Sequence, residues 1–379
     1  MNAMRRCKYF RSLLLVVGIL ICWVSFNKIT RYRLSNAYKK HFHSSLVQIP
    51  VTNFCKKPEG AHTYKICNYL PYSEVKCGKE QNGNRSSETY RVPNEVMFIW
   101  FAKHMPFRFY NYLALRSAAS IQQVDKLKFY YSEGLPVGKY WERTVNEIPC
   151  LELIQVEEPG EIFGVKMPDA VRRTDLGRIN YLIESGGVYV DGDVITLKKF
   201  DALRNYPITI GRSTASKTCL CVVFAEKESH FLMEFRKKFP EHFQTDFPSY
   251  FTTWYLGEFI KESKIYIHME DATINRPNPY VSLDGVSSTT EDRIDISNNF
   301  FLHIHPNKAK GFDGLPPKCL KMEDDELRIL DTVYGEAARI ALFGSPDLIF
   351  KPGEETYEQK PKRKIKVFSS ELKIYKKET

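Results

Sequence analysis

From Val92 onward, apolar residues occur in strand-length runs that alternate with segments of helical spacing. "VPNEVMFIWF" and "KLKFYYS" are strand-length runs, and between them "FYNYLALRSAASI" repeats its apolar residues at helical intervals. A chain that alternates strands with helices is typical of an α/β fold. The alternation continues to about Pro306, and we predict one α/β domain over residues 92–345.

Within this domain, "MPDAVRRTDLGRINYLIESGG" has the spacing of a helix, with Pro168 near its start and Gly186 and Gly187 at its end. The next segment, "VYVDGDVITL", is a strand that acidic residues interrupt. The sequence therefore predicts a helix that is followed directly by a strand, within which two aspartates lie.

The N-terminus combines basic residues with an apolar segment from Ser12 to Phe26. This segment is short for a membrane span, although Tyr9 and Phe10 extend it if Arg11 reaches the head groups. A cleaved signal peptide is the alternative, but no small-residue cleavage site follows the segment. We predict an uncleaved anchor, with a cytoplasmic tail over 1–11 and a transmembrane segment over 12–27.

The formal net charge of +10 is concentrated at the two ends of the chain, which disfavours nucleic acid as a partner. We expect residues 28–91 to form a stem and a cysteine-rich lead-in, and residues 346–379 to form a basic, mobile tail. Beyond the predicted anchor there are seven cysteines. In a lumenal protein the cluster of Cys55, Cys67 and Cys77 is the most favourable place for a disulfide, and the sequon at Asn84 fits lumenal exposure.

The carboxylates of Asp191 and Asp193 are two residues apart, so an extended backbone directs both to the same side, and Gly192 allows close backbone approach. Two such carboxylates repel each other unless a cation lies between them, and oxygen ligands suit Mg²⁺ or Mn²⁺. The spacing after Asp193 excludes a helix–loop–helix calcium site. The alternative is a surface turn, because Asp-Gly is a common turn dipeptide.

Asp175 and Arg178 are three residues apart on the preceding helix, hence on one helical face, where a simple surface ion pair is the alternative. The combined pattern is D-x-x-R, an apolar helix, G-G-x-Y-x-D-x-D and an apolar strand. It resembles the sugar-binding region of the DxD glycosyltransferases, the family 32-like group related to the catalytic domains of the large clostridial glucosylating toxins. The resemblance extends from about Val92 to about Gly311 and is most specific between Arg172 and Leu197.

The resemblance implies a GT-A-type fold, with a mostly parallel central sheet that binds a nucleotide-sugar at the carboxyl ends of its strands. It also implies the roles of the motif residues. Asp175 and Arg178 would hold the donor sugar, with Tyr189 packed beside it. Asp191 and Asp193 would bind Mn²⁺, or Mg²⁺, and through it the diphosphate of a UDP-sugar. The four charged residues are the predicted catalytic residues.

Three further residues match the family's pattern in shorter stretches. Trp100 ends the first strand and is the candidate for stacking on uracil, with a core tryptophan as the alternative. His303 and His305 share one strand face, and we predict His303 as the third metal ligand. Lys308 is a candidate phosphate ligand.

Taken together, these features predict a single-pass type II Golgi membrane protein with a lumenal, metal-dependent glycosyltransferase domain. The resemblance implies that a hexose or N-acetylhexosamine moves from a UDP-sugar to a glycan, glycolipid or glycoprotein with retention of configuration. Two alternatives stay open: a membrane-anchored inactive relative that only binds sugar or nucleotide, and a metal-dependent phosphohydrolase. The phosphohydrolase would need more His and Asp ligands at metal spacing than this sequence offers.

Overall fold

The fold is known from a computed structural model of the 379-residue chain. The structure describes residues 55–56, 66–68, 71–78, 90–101, 105–167, 169–214, 217–242, 251–271, 273–274, 295–304 and 321–350. The predicted anchor at 12–27, the sequon at Asn84, His305 and Lys308 lie outside these residues. No helix within the described ranges is both long and apolar enough to cross a membrane.

Strands and helices alternate over residues 95–155, as the sequence predicts, whereas the strands between residues 187 and 225 follow one another without an α-helix between them. The strands are β1 Cys55–Lys56, β2 Ile66–Asn68, β3 Glu95–Trp100, β4 Lys126–Tyr131, β5 Leu151–Gln155, β6 Glu161–Ile162, β7 Val165–Lys166, β8 Gly187–Val190, β9 Val194–Thr196, β10 Ile208–Thr214, β11 Lys217–Ala225, β12 His268–Glu270, β13 Phe301–His303 and β14 Ile349–Phe350. The helices are α1 Phe109–Gln122, α2 Lys139–Glu147, α3 Ala170–Ser185, α4 His230–Lys237, α5 Phe239–His242, α6 Leu256–Glu262, α7 Asp324–Ile329 and α8 Val333–Phe343.

The central sheet has seven strands in the order β12-β10-β11-β8-β3-β4-β5. The pairs β8-β3, β3-β4, β4-β5 and β10-β12 are parallel, whereas β11 runs antiparallel to both of its neighbours. The prediction of a mixed α/β fold with a mostly parallel sheet is therefore confirmed. Because β3, β4, β5 and β8 are parallel, their carboxyl ends lie at one edge of the sheet.

Successive side chains of β3 and β8 enter two separate hydrophobic cores, because strand residues alternate between the faces of a sheet. Phe98 and Val190 face the core that contains α1 and α8. Met97 and Tyr189 face the other core, which contains α3 and α4. The helix α3 therefore packs on the same face of the sheet as the side chain of Tyr189.

The helix α3 ends at the double glycine that the sequence indicates, and it begins at Ala170, two residues after Pro168. Asp169 caps its N-terminus, where the side chain accepts a hydrogen bond from the backbone N–H of Arg172 at 2.9 Å. At its C-terminus, Gly186 has a φ of 66°, and a Cβ there would lie 2.6 Å from the backbone nitrogen of Lys227. Glycine is required at this turn, which passes the chain from α3 straight into β8.

Both ends of the described chain extend the domain beyond its predicted limits. Residues 71–78, assigned to the stem, pack against α1 and α8, where the fully buried Arg116 donates hydrogen bonds to the carbonyl oxygens of Ser73 and Ala341. Ordered structure also continues past residue 345, because Leu348, Ile349 and Phe350 are apolar and buried, and β14 pairs with β2.

Two disulfides link described cysteines. Cys77, a member of the predicted cluster, is bonded to Cys150 at the start of β5, with a sequence separation of 73. Cys219 is bonded to Cys221 within β11, with a sequence separation of 2. The first disulfide therefore ties the lead-in to the central sheet, and the second closes a very short loop.

These two loops differ in length enough to predict different contributions to stability. Constraining the unfolded chain over the longer loop should stabilise the fold by about 4 kcal/mol, against about 1.5 kcal/mol for the shorter one. We expect Cys77→Ser/Cys150→Ser to lower the free energy of unfolding by about 4 kcal/mol in urea denaturation. Cys219→Ser/Cys221→Ser is the matched control, and an equal loss in both variants would contradict this account.

Candidate active site

The two aspartates occupy a short turn between β8 and β9, and neighbouring segments hold its backbone. The N–H of Asp191 donates to the carbonyl oxygen of Cys221 at 2.8 Å, and the N–H of Val194 donates to the carbonyl oxygen of Asp191 at 3.1 Å. The N–H of Ile304 donates to the carbonyl oxygen of Asp193 at 3.0 Å. Both aspartates are half-buried. The Asp-Gly-Asp segment is thus a turn, but one that packs against β11 and β13.

Gly192 allows α1 to approach this turn closely. The side-chain amide of Asn111 donates to the carbonyl oxygen of Gly192 at 2.7 Å, and a Cβ at Gly192 would lie 3.2 Å from the same nitrogen. The side-chain oxygen Oδ1 of Asn111 accepts from the backbone N–H of Arg108 at 2.8 Å. Asn111 was not among the predicted site residues, because nothing in its local sequence marks a contact 81 residues away.

His303, which we predict as the third metal ligand, lies beside the aspartate pair. The strand β13 pairs antiparallel with β9, so His303 is opposite Val194. The Nε2 atom of His303 lies 3.1 Å from Oδ1 of Asp193. One ligand atom from each of Asp191, Asp193 and His303 lies within 4.8 Å of the others. This set of two carboxylates and one imidazole is compatible with a divalent cation.

Arg178 joins the helix motif to the aspartate pair. Its Nη2 lies 3.1 Å from Oδ1 of Asp175 and 3.3 Å from Oδ1 of Asp191. The guanidinium carbon lies 4.4 Å from the ring centroid of Tyr189, whose hydroxyl donates to Oδ1 of Asp191 at 2.6 Å. Arg178 Nη1 donates to the carbonyl oxygen of Leu220 at 2.9 Å. One connected cluster is therefore formed by Asp175, Arg178, Tyr189 and Asp191. The pair of Asp175 and Arg178 is buried and is not a surface ion pair.

Thr252 completes the surroundings of Asp175. Its hydroxyl donates to Oδ2 of Asp175 at 3.2 Å, and it lies in a π-helical turn, Phe251–Tyr255, which leads into α6. Single π-turns are rare and occur often at functional sites. The sequence predicts a helix here but gives no sign that Thr252 contacts Asp175, which is 77 residues away.

Burial changes the ionisation of this cluster. It raises the pKa of Asp175 to about 6, against the opposing effect of Arg178. Burial also raises the pKa of Asp191, and it raises that of Tyr189 well above the usual value. For Arg178, burial alone would lower the pKa, but Asp191, Tyr189 and Asp175 together raise it, so the guanidinium stays charged.

Arg178 also keeps one unsatisfied polar atom. Its Nε is buried, and no described residue accepts a hydrogen bond from it. A buried donor without a partner is costly in a folded protein and is often associated with a functional role. The cluster is thus a largely buried polar site in which one donor atom has no acceptor among the described residues.

Trp100 ends β3 at the same edge of the sheet as the aspartates. Met97 is opposite Tyr189 in the parallel pair β3-β8, so the continuation of this register brings Trp100 level with the Asp-Gly-Asp turn. Its ring is half-buried and packs against Phe107 and Phe129, with centroid distances of 5.5 and 6.4 Å. This position fits both the predicted base-stacking role and the core alternative.

The motif residues lie within a segment that matches a known protein family. Residues 96–209 match the family model of the glycosyltransferase sugar-binding region containing a DXD motif. The resemblance predicted from the sequence is therefore confirmed for this segment, which contains Asp175, Arg178, Tyr189 and both aspartates of the turn. His303 lies outside the matched segment.

The chain is also similar to glucan organizing enzyme 1 of Cryptococcus neoformans var. grubii, with 33% identity over 127 residues. The match covers 32% of this chain and 34% of that protein, so the chain spans about a third of the curated relative's length. The relative's name describes that protein's role and does not by itself assign one here.

Two solved structures share limited similarity with the chain. One is the glycosyltransferase GlyE of Streptococcus pneumoniae TIGR4, with 12% identity, 61% coverage of each chain and a TM-score of 0.39. The other is the galactosyltransferase LgtC in complex with donor and acceptor sugar analogs, with 12% identity, coverage of 62% of this chain and 99% of that one, and a TM-score of 0.37. Scores this low establish neither activity nor mechanism.

The raised pKa of Asp175 predicts a measurable pH dependence of stability. Between its ordinary pKa of 3.8 and the value of about 6, the folded state binds the Asp175 proton more tightly than the unfolded state does. Protonation at low pH therefore stabilises the fold, and this contribution is lost as the pH rises from about 4 to about 6.

We expect Asp175→Asn to remove this dependence. Relative to wild type, the unfolding free energy of the variant should rise by about 3 kcal/mol between pH 4 and pH 7, as measured by urea denaturation in EDTA. Asp271→Asn changes a carboxylate that is 70% exposed and is the matched control. A difference between Asp175→Asn and wild type that does not change with pH would contradict the assigned pKa.

Proposed function

We propose that this protein is a metal-dependent glycosyltransferase that moves a hexose or an N-acetylhexosamine from a UDP-sugar to a glycan, glycolipid or glycoprotein acceptor. One observation carries the proposal: Asp191, Asp193 and His303 converge within 4.8 Å, next to the buried pair of Asp175 and Arg178. The match of residues 96–209 to the DXD sugar-binding region supports it.

The aspartate turn is suited to hold a divalent cation. The Tyr189 hydroxyl and Arg178 both contact Oδ1 of Asp191, an arrangement that orients the carboxylate through one oxygen and leaves Oδ2 for another ligand. An imidazole beside two carboxylates favours Mn²⁺ over Mg²⁺, which prefers oxygen ligands alone. When bound, the cation would neutralise the negative charge that develops on the departing diphosphate.

Asp175 and Arg178 are suited to bind the donor sugar. Both side chains are buried and rigidly paired, and Thr252 further fixes Asp175. Buried donors and acceptors of fixed geometry discriminate between hydroxyl arrangements, because a wrong sugar leaves one of them unpaired. The unsatisfied Arg178 Nε adds a donor to this set. We propose transfer with retention of the sugar's configuration. In such a reaction the acceptor hydroxyl passes its proton to the β-phosphate of the departing UDP, so we assign no side chain as catalytic base.

The cellular setting is also part of the proposal. An apolar segment at 12–27 after basic residues favours a type II anchor in the Golgi membrane, and two disulfides among the described cysteines favour an oxidising, lumenal compartment. Protease protection of the full chain in microsomes tests this topology, since only a lumenal domain resists digestion until detergent is added.

The function is tested by UDP release from a panel of UDP-sugars in the presence of Mn²⁺ or EDTA. We expect one donor to be hydrolysed slowly without an acceptor, and only when the metal is present. Phosphate release from simple esters would support the phosphohydrolase instead. UDP binding without turnover on any donor, with or without candidate acceptors, would support the inactive binding protein.

Removing a predicted metal ligand should abolish most of this activity. We expect Asp193→Asn to lower metal-dependent UDP release about 100-fold or more, because the charge on the leaving group is no longer neutralised. Asp271→Asn makes the same chemical change at an exposed carboxylate outside the cluster and should retain wild-type activity. Equal rates for Asp193→Asn and wild type would exclude the assigned metal site.

The two roles of Trp100 make different predictions. A base-stacking role predicts that Trp100→Ala weakens UDP binding by about 1–3 kcal/mol in calorimetry, with little change in melting temperature. Trp141 is the matched comparison, because its buried ring packs on the same two phenylalanines, Phe107 and Phe129. If Trp100→Ala loses stability as Trp141→Ala does and binds UDP normally, Trp100 is a core residue.

A further inference from the structure

The strand β11 contains an irregularity beside the candidate active site. Ile210 of β10 pairs with Val223, yet the next residue of β10, Gly211, pairs with Cys219. One step along β10 therefore corresponds to four steps along β11, and the extra residues form a bulge. This bulge brings the Cα atoms of Cys219 and Cys221 to 5.2 Å, and the two sulfur atoms are bonded.

The bulge contacts three residues of the candidate site. The carbonyl oxygen of Leu220 accepts from Arg178, and that of Cys221 accepts from the N–H of Asp191. On the other side, the ring of His303 approaches the sulfur atoms, so that Sγ of Cys219, Sγ of Cys221 and one His303 nitrogen all lie within 4.8 Å of one another. The same histidine therefore adjoins both an oxygen-rich and a sulfur-rich set of ligands.

The sulfur-rich set has the chemistry of a zinc site. Two thiolates and an imidazole are usual ligands of Zn²⁺ and leave a fourth tetrahedral position for water. The N–H of Cys221 already points at Sγ of Cys219, at 3.2 Å, and a hydrogen bond of this kind stabilises a thiolate. Cys221 and His303 are buried, whereas Cys219 is half-buried and gives reagents a route to the disulfide.

We propose that Cys219, Cys221 and His303 form a redox-controlled binding site for a thiophilic divalent metal, Zn²⁺ above all. A phosphine reductant and one water molecule convert the disulfide to two thiols and the phosphine oxide. The two electrons come from phosphorus, and the two thiol protons come from water. Metal binding then releases both thiol protons to solvent. In the disulfide form, the sulfur atoms cannot act as thiolate ligands.

This site has a consequence for the neighbouring aspartates, and that part rests on the proposed function. The His303 ring can coordinate a metal ion at the thiolates and a second one at Asp191 and Asp193 only if each of its two nitrogens binds one ion. Zn²⁺ at the reduced cysteines should therefore weaken Mn²⁺ binding at the aspartates. Metal binding by the thiolates does not depend on that function and is measured without any UDP-sugar.

The experiment is a Co²⁺ titration of the full chain in detergent, with and without tris(2-carboxyethyl)phosphine, followed by ultraviolet and visible absorption. Cobalt reports its ligands directly, because thiolate ligands give an intense near-ultraviolet charge-transfer band that oxygen and nitrogen ligands do not. We expect this band only after reduction, to saturate at about one Co²⁺ per chain and to disappear when Zn²⁺ displaces the cobalt.

Two variants test the assigned ligands, and the first also controls for the other cysteines. Cys219→Ser/Cys221→Ser retains Cys77 and Cys150, which the phosphine also reduces, and should show no band. His303→Ala should bind Co²⁺ about tenfold or more weakly, with the band retained at saturation. A reduced wild type without the band, or a double serine variant with a band of equal strength, would overturn the proposal. Circular dichroism verifies that each variant is folded.

Discussion

The candidate site depends on the position of one guanidinium. Arg178 lies between the carboxylates of Asp175 and Asp191, both of which burial drives toward protonation. Without the positive charge, the buried carboxylate of Asp175 and the half-buried carboxylate of Asp191 would repel each other, which would raise their pKa further. The Tyr189 ring and the Leu220 carbonyl oxygen fix the guanidinium in place. The helix motif and the DXD turn are therefore one electrostatic unit.

Two other buried arginines, Arg116 and Arg339, secure backbone segments. Arg339 donates to the carbonyl oxygens of Leu327, Leu330 and Pro346 and thereby joins α7, α8 and the segment before β14. Arg116 likewise binds the lead-in to α8 through carbonyl oxygens. Arg116 also pairs with Glu147 at 3.2 Å. Arg178 contacts two carboxylates, one on the helix α3 and one in the Asp-Gly-Asp turn, and so joins the two motifs.

The sequence predicts the parts of the site that are local. Asp175 and Arg178 share a face because of helix geometry. Asp191 and Asp193 are close together in a turn between β8 and β9, whereas the sequence predicts an extended backbone there. Pro168 and the double glycine indicate the two ends of α3 for equally local reasons. His303 was found only because the family resemblance directed attention to a late strand. Asn111 and Thr252 were missed because no local pattern encodes their contacts.

Sequence analysis also does not predict the hydrogen bonds that β11 makes to the candidate site. Its carbonyl oxygens, not its side chains, hold Arg178 and Asp191, and every residue type carries a carbonyl. Cys219 and Cys221 were visible as cysteines, but their pairing depends on a bulge set by the register with β10.

The energetics favour a functional origin for the cluster. A buried ion pair is usually no better for stability than well-packed apolar side chains, and the raised pKa of Asp175 shows that its charge costs free energy at pH 7. Arg178 adds a buried Nε without a described partner. A fold selected for stability alone would gain from replacing these groups. These groups lie beside a turn that is compatible with a metal ion. The free-energy cost of burying them is consistent with ligand binding, because a preorganised polar pocket binds a polar ligand without having to rearrange.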